Sequence, residues 1–133
     1  MNIQHVPLEF RNQVWPSVEN YIAAGLDYQD DYTLEQAKLY VMSGEWVLVV
    51  AVEDNVIYGA MTINLFNRPN DRIAFVTCVG GKGIISTDTL SQLSDLVRAF
   101  GATYLEVAGR ESVMRLLERQ GFAEKYRIAG VKL

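Results

Sequence analysis

Trp46-Val47-Leu48-Val49-Val50-Ala51-Val52, followed by Glu53-Asp54-Asn55 and then Val56 to Leu65, is the stretch that decides the fold. Seven consecutive apolar residues rich in valine read as a strand covered on both faces, which belongs in the middle of a sheet. Asp54-Asn55 suits a tight turn, so Val56–Leu65 returns as the second arm of a hairpin. Gly59 inside that arm signals a bulge or a close approach of backbone. Asn67-Arg68-Pro69-Asn70-Asp71 makes another turn, and Ile73–Val79 is the third strand of an antiparallel series.

Upstream, Leu8 to Ala24 has helical spacing, with Phe10, Val14, Val18 and Ile22 stacked every fourth residue and Gly25 closing it. Pro16 interrupts that pattern and predicts a kink or two abutting helices. Thr33 and Gln36 have capping-box spacing, and Gly44 is suited to end a helix, so a second helix spans Leu34 to Ser43. Downstream of Gly80-Gly81-Lys82-Gly83 the pattern predicts a helix from Asp88 to Phe100, a strand over Thr103–Ala108 parallel to Ile73–Val79, a helix from Glu111 to Gln120 and a last strand over Tyr126–Leu133. Leu90, Leu93, Val97, Val113 and Leu116 are the expected core residues of the two late helices, packed against opposite faces of the sheet. The predicted class is α+β, a mixed, mostly antiparallel sheet with helices on both faces, in one domain spanning residues 1–133.

Composition narrows the function. The net charge of −4 and the scattered basic residues argue against a nucleic-acid partner, which needs clustered Lys and Arg. The longest apolar run is too short to span a bilayer, and the first ten residues do not read as a signal peptide, so no membrane association is expected and the expected location is the cytoplasm. With one cysteine, Cys78, and one histidine, His5, neither an internal disulfide nor a zinc cluster can be assembled, and no metal is expected. Cys78 reads as a small core residue, and His5 as a solvated or capping residue.

Element order and two local patterns resemble the GNAT (N-acetyltransferase-like) superfamily. Thr77-Cys78-Val79-Gly80-Gly81-Lys82-Gly83-Ile84-Ile85 is similar to the family's acetyl-CoA segment, and Leu105 through Gly121-Phe122 to its second landmark. Gly-Gly-Lys-Gly together with Gly109-Arg110 further resembles the small GNAT-like proteins of tailed phages. The resemblance implies acetyl-CoA as a substrate, held by Cys78, Val79, Gly80, Gly81, Lys82 and Gly83, with Arg110 at a phosphate; read by themselves, the glycines make a turn joining strand to helix, and Arg110 caps locally or pairs with a carboxylate of the fold. Backbone N–H groups at a helix start can grip a diphosphate, and a guanidinium fork suits one. In the family's loop pattern Ile85 stands where Gly or Ala is usual, and its branched side chain crowds that approach. Arg110, Val113 and Leu117 stand where the family has Asn, Ala and Tyr, so the usual acid of the reaction is absent.

Acetyl transfer to an amine needs a base and an acid. Glu106 is the candidate base, set against its reading as an ordinary half-exposed strand residue, and Ser112 and Tyr126 are the candidate substitutes for the missing tyrosine. Asp27-Tyr28-Gln29-Asp30-Asp31-Tyr32 falls where the family lines its acceptor site; by itself it reads as a solvated loop. Two functions stand open. One is an N-acetyltransferase acting on a small-molecule or protein amine. The other is a non-catalytic virion-associated or assembly protein, with phage structural proteins as partners and the host cytoplasm or the virion as its location.

Overall fold

Alternation along the hairpin's first strand sorts the whole core. A computed structural model describes residues 1–133. The elements run β1 (Asn2–His5), a 3-10 turn (Leu8–Phe10), α1 (Arg11–Leu26), α2 (Leu34–Ser43), β2 (Trp46–Glu53), β3 (Val56–Asn67), β4 (Arg72–Gly81), α3 (Thr87–Ala99), β5 (Tyr104–Val107) and α4 (Glu111–Glu118). One sheet in the order β1-β2-β3-β4-β5 is antiparallel except for the parallel β4–β5 pair. Trp46, Leu48 and Val50 pack under α1 and α2 on one face, while Val47, Val49 and Ala51 pack under α3 and α4 on the other. The expected α+β class, strand series and parallel fifth strand are all present.

Local chemistry explains the boundaries. Asp54 and Asn55 both adopt positive φ (51° and 62°), the backbone a two-residue hairpin turn requires. Thr33 and Gln36 form the reciprocal capping box, and Gly44 ends α2 in the left-handed region. Ala51 pairs with Gly59 but Val52 with Ile57, so Tyr58 is the extra residue of a bulge. Gly59 also meets the second expectation, because a Cβ there would lie 2.7 Å from the Gly80 carbonyl oxygen.

Several expectations need correction. Of the two expectations for Pro16, the split into two helices fails: α1 runs on through it, and Pro16 is exposed, so the Asn12 carbonyl that it cannot bond can face water. Phe10 belongs to the preceding turn and is half exposed, and the buried stripe is Trp15, Val18, Ile22 and Leu26. Arg11 is buried at the head of that stripe, donating to the carbonyls of Val6 (3.0 Å), Val41 (2.7 Å) and Trp46 (2.8 Å). The N-terminal strand β1 was not expected. His5 lies in it, edge-on to Phe100, rather than capping a helix.

α3 and α4 share one face instead of taking opposite ones, and Leu117, not Leu116, is the buried leucine of α4. Residues 123–133 form no strand. β5 is only four residues long, and the segment makes no backbone hydrogen bond to it.

Candidate functional site

β4 and β5 begin as neighbours and then part. They pair from Ile73–Tyr104 to Val76–Val107, with a last bond from the Ala108 N–H to the Val76 carbonyl (3.2 Å). β5 then turns through Gly109 and Arg110 into α4, while β4 continues to Gly81 bonded to β3 alone. The parting coincides with a bulge: Thr62 pairs with Cys78 and Ile63 with Val76, leaving Thr77 as the extra residue. Beyond it, one edge of β4 offers peptide groups to a ligand as an edge strand would.

A cleft of about 360 Å³ occupies this opening, lined by Val79, Gly80, Gly81, Gly83, Ile84 and Ile85 on one side and Arg110, Ser112, Val113 and Leu116 on the other. At its rim, the N–H groups of Lys82, Gly83, Ile84 and Ile85 make no hydrogen bond within the protein. The next two donors differ in fate: Ser86 N–H goes to Thr89 Oγ1 (2.9 Å), whereas that of Thr87, at the first turn of α3, is also free. A turn with successive free N–H groups leading into a helix start is an anion-binding arrangement. Lys82 stands exposed on the same turn.

The glycines have different reasons. Gly83 has φ +71° with open space around it, so the turn alone requires it. Gly80 is there for packing, because a Cβ would lie 1.9 Å from the Tyr21 carbonyl oxygen of α1. The Ile85 side chain leans on the α3 side of the core and also lines the cleft.

Of the other residues singled out, Arg110 and Ser112 reach the cleft, whereas Glu106 and Tyr126 do not line it. Arg110 is the N-cap of α4; its Nη2 donates to the Ala24 carbonyl (2.8 Å) and forms an ion pair with Asp27. That guanidinium therefore crosses the mouth of the cleft and sits at the C-terminal end of α1, where the helix dipole favours it. Glu106 is held by Arg68 (2.5 Å) and Lys125 (2.7 Å). Burial pushes its carboxyl up, but the bonds from Arg68 and Lys125 outweigh that and hold it below its ordinary value. Such a carboxylate is committed to an ion-pair cluster and is a poor base. Tyr126 is exposed.

Cys78 points toward α1, its thiol 3.6 Å from the Ile22 carbonyl, and burial pushes its pKa up to about 12. Leu117 is in the core, so α4 brings no acid to the cleft from that position.

Sequence reasoning missed the role of Tyr28. From the α1–α2 connection its hydroxyl donates to the carbonyl of Thr77, the bulge residue (3.2 Å). Burial above all pushes its phenol up to about 12, so it stays protonated. The stretch Asp27–Tyr32 is split: Asp27 and Tyr28 face the parting strands, whereas Asp31 and Tyr32 line a separate hollow of about 420 Å³ beside α2, with Tyr40 and Glu45. No three His, Cys, Asp or Glu side chains come together as metal ligands would, and no helix is long and apolar enough to cross a membrane.

No family model and no curated protein matches the sequence. Solved structures do. A ribosomal-protein-alanine N-acetyltransferase from Brucella melitensis biovar Abortus 2308 is 14% identical, with a TM-score of 0.72 over 100% of both chains. An aminoglycoside acetyltransferase from an uncultured soil metagenomic sample, solved with sisomicin, is 9% identical, with a TM-score of 0.72 over 99% of this chain and 94% of that one. A predicted acetyltransferase from Clostridium acetobutylicum, solved with acetyl-CoA, is 11% identical, with a TM-score of 0.66 over 98% of this chain and 95% of that one. Identities this low speak for architecture alone, and in architecture the chain has the GNAT acetyltransferase fold.

Proposed function

We propose that the protein binds acetyl-CoA between the parting ends of β4 and β5 and transfers the acetyl group to an amine. One observation carries the reading: the unpaired edge of β4 after Thr77 and the free N–H groups of Lys82–Ile85 border the same cleft. The pantetheine arm would add to β4 as a short strand, and the diphosphate would sit on the turn with Lys82 beside it. In the reaction the neutral amine nitrogen attacks the thioester carbonyl, the C–N bond forms, the C–S bond breaks, CoA leaves as a thiolate, and the proton released by the nitrogen passes to that thiolate or to water. With Glu106 engaged and Leu117 buried, catalysis rests chiefly on holding the two reactants together. Tyr28 fixes the bulge that opens the strands, Ser112 is the hydroxyl within the cleft, and the Arg110–Asp27 pair stands at its mouth.

A second reading is favoured by the same two residues. A protein that needed no proton transfer could commit Glu106 to ion pairs and bury leucine at position 117. It would be a non-catalytic assembly protein of the kind the phage resemblance implies, sharing the fold without the chemistry.

Thermal unfolding with acetyl-CoA, followed by assay for acetylated amine, tests both. Acetyl-CoA at about 100 times its Kd should stabilise the protein by about 2.7 kcal/mol. Lys82→Glu should shrink that gain, and Ile85→Gly should enlarge it by clearing the diphosphate's path. Binding with no transfer to any of a panel of amines leaves the second reading. An unmoved midpoint in millimolar acetyl-CoA, for the wild type and for Ile85→Gly alike, removes the acetyl-CoA site altogether.

A further inference from the structure

Tyr32, Tyr40 and Trp46 meet in one aromatic cluster beside α2. Tyr40 stacks on Trp46, with ring centroids 4.8 Å apart and planes 17° from parallel. Tyr32 stands edge-on to both, 5.8 Å from Tyr40 and 4.8 Å from Trp46. Trp46 is 2% exposed and belongs to the core under α1 and α2, so it anchors the other two rings. The tyrosines are half-buried, and both line the hollow of about 420 Å³. Their planes lie 88° apart, which gives the hollow two aromatic walls at a right angle. Gln29 braces Tyr32, accepting from its N–H (2.9 Å) and donating to its carbonyl (3.2 Å), so that wall is fixed in advance of any ligand.

Charge at the hollow is unanswered. Asp31 and Glu45 line it, and neither joins any ion pair of the protein. Lys38, the one cation of α2, is engaged elsewhere, with its Nζ 5.7 Å from the centre of the Trp15 ring. Tyr21 and Tyr28 donate their hydroxyls to main-chain carbonyls, whereas those of Tyr32 and Tyr40 bond nothing within the protein. Burial above all, then Tyr40 and Asp31, pushes the Tyr32 phenol up, so it stays a neutral ring at neutral pH. Leu39, 70% exposed, adds an apolar surface to the same lining.

These features select one ligand chemistry. The carboxylates repel an anion, and a neutral apolar molecule would leave them unanswered. A metal ion would find no three ligating side chains together. An organic cation gains from the ring faces and from both carboxylates, and its alkyl stem suits Leu39. We propose that the hollow is a second binding site, which takes an organic ammonium group on an alkyl stem against Tyr32 and Tyr40, with Asp31 and Glu45 as its counter-charges. This inference is independent of acetyl-CoA binding, because no residue of the hollow lines the cleft.

NMR titration of the full chain tests it with two probes, choline for a quaternary ammonium and N-acetyl-lysine amide for a lysine side chain. Shifts should concentrate in Asp31–Glu45 and leave Gly81–Ile85 unmoved, and the tighter binder names the source of the cation. The neutral analogue of choline, with carbon in place of nitrogen, should bind about tenfold more weakly or worse. Asp31→Asn combined with Glu45→Gln should weaken choline several-fold with the thermal midpoint unchanged, since both side chains are exposed and unpaired. Tyr40→Leu should weaken it about tenfold, and Tyr40→Phe, which keeps the ring, should not. The proposal is overturned if neither probe moves these residues at about 100 mM. It is equally overturned if the neutral analogue binds as well as choline, or if the carboxylate double variant binds as the wild type does.

Discussion

Along α1 and β4 the backbones touch. A Cβ on Gly80 would lie 1.9 Å from the Tyr21 carbonyl oxygen, and one on Gly25 would lie 2.8 Å from that of Val79. From Gly109 onward the chain is loosely held: Leu117 is the one buried residue of α4 and everything after it. The cleft lies between these two regions, so one wall is set by backbone contact and the other by a short helix with a half-exposed ion pair at its head. Rigid packing on the β4 side places the bulge, the unpaired strand edge and the turn in register. The α4 side can yield to a ligand at little cost, because few buried contacts oppose it.

The largest expected effect breaks the tight wall. Gly80→Ala puts a methyl group against main chain that no rotamer change can move, so α1 must lift away from β4. The loss should exceed about 4 kcal/mol, or the protein should fail to fold. Gly130→Ala, with nothing within 4 Å of its added Cβ, should stay within about 0.5 kcal/mol of wild type. Denaturant unfolding of the two variants compares the regions directly, and equal losses would mean that the α1–β4 contact relaxes freely.

A smaller contrast lies within the layer beneath α3 and α4. Leu93 is 1% exposed, and its replacement by Ala should cost about 2–5 kcal/mol. Leu116→Ala, on the exposed side of α4, should cost less than about 1 kcal/mol. A Leu116 loss that matched Leu93 would show α4 rotated so that Leu116, and not Leu117, enters the core.

That rotation is also where sequence reading failed. The hairpin, the parallel fifth strand and the bounds of α2 were legible because each is written locally, in the valine run, in Asp54-Asn55 and in the Thr33–Gln36 box. α4 is eight residues long, with adjacent leucines at 116 and 117, so periodicity alone could not choose between them. β1 has four residues, none of them buried, and leaves almost no hydrophobic signature. At the site, the glycine-rich turn was visible, but the packing reason for Gly80 was not, because Tyr21 is far away in sequence. The same holds for Tyr28, which meets its partner Thr77 49 residues away, and for Glu106, whose partner Arg68 is 38 residues away. Spacing reports neighbours on one element and is silent about side chains that meet across the sheet.

Glu106 supplies the smallest effect and the finest test of the comparison, because it is the side chain that ties the loose C-terminal segment to the sheet. Its side chain is 11% exposed and accepts bonds from Arg68 beyond β3 and from Lys125 after α4. Burial opposes its charge, but the two cations prevail, and its carboxyl is held below the ordinary 4.5. A folded-state pKa below the unfolded one means that the unfolded chain takes up the proton first as pH falls. The stabilisation is therefore complete above the ordinary carboxylate range and is lost as pH drops through the folded value. Between about pH 7 and about pH 3 the wild type should lose more stability than Glu106→Gln, which cannot titrate there. At neutral pH, Glu106→Gln should cost less than Leu93→Ala, because both cationic partners are partly exposed and solvent screens the pairs. High salt should narrow the difference further by screening them. Parallel pH profiles for the two proteins would show that the cluster does not hold in solution, and the segment after α4 would then lose its ion pair to β5.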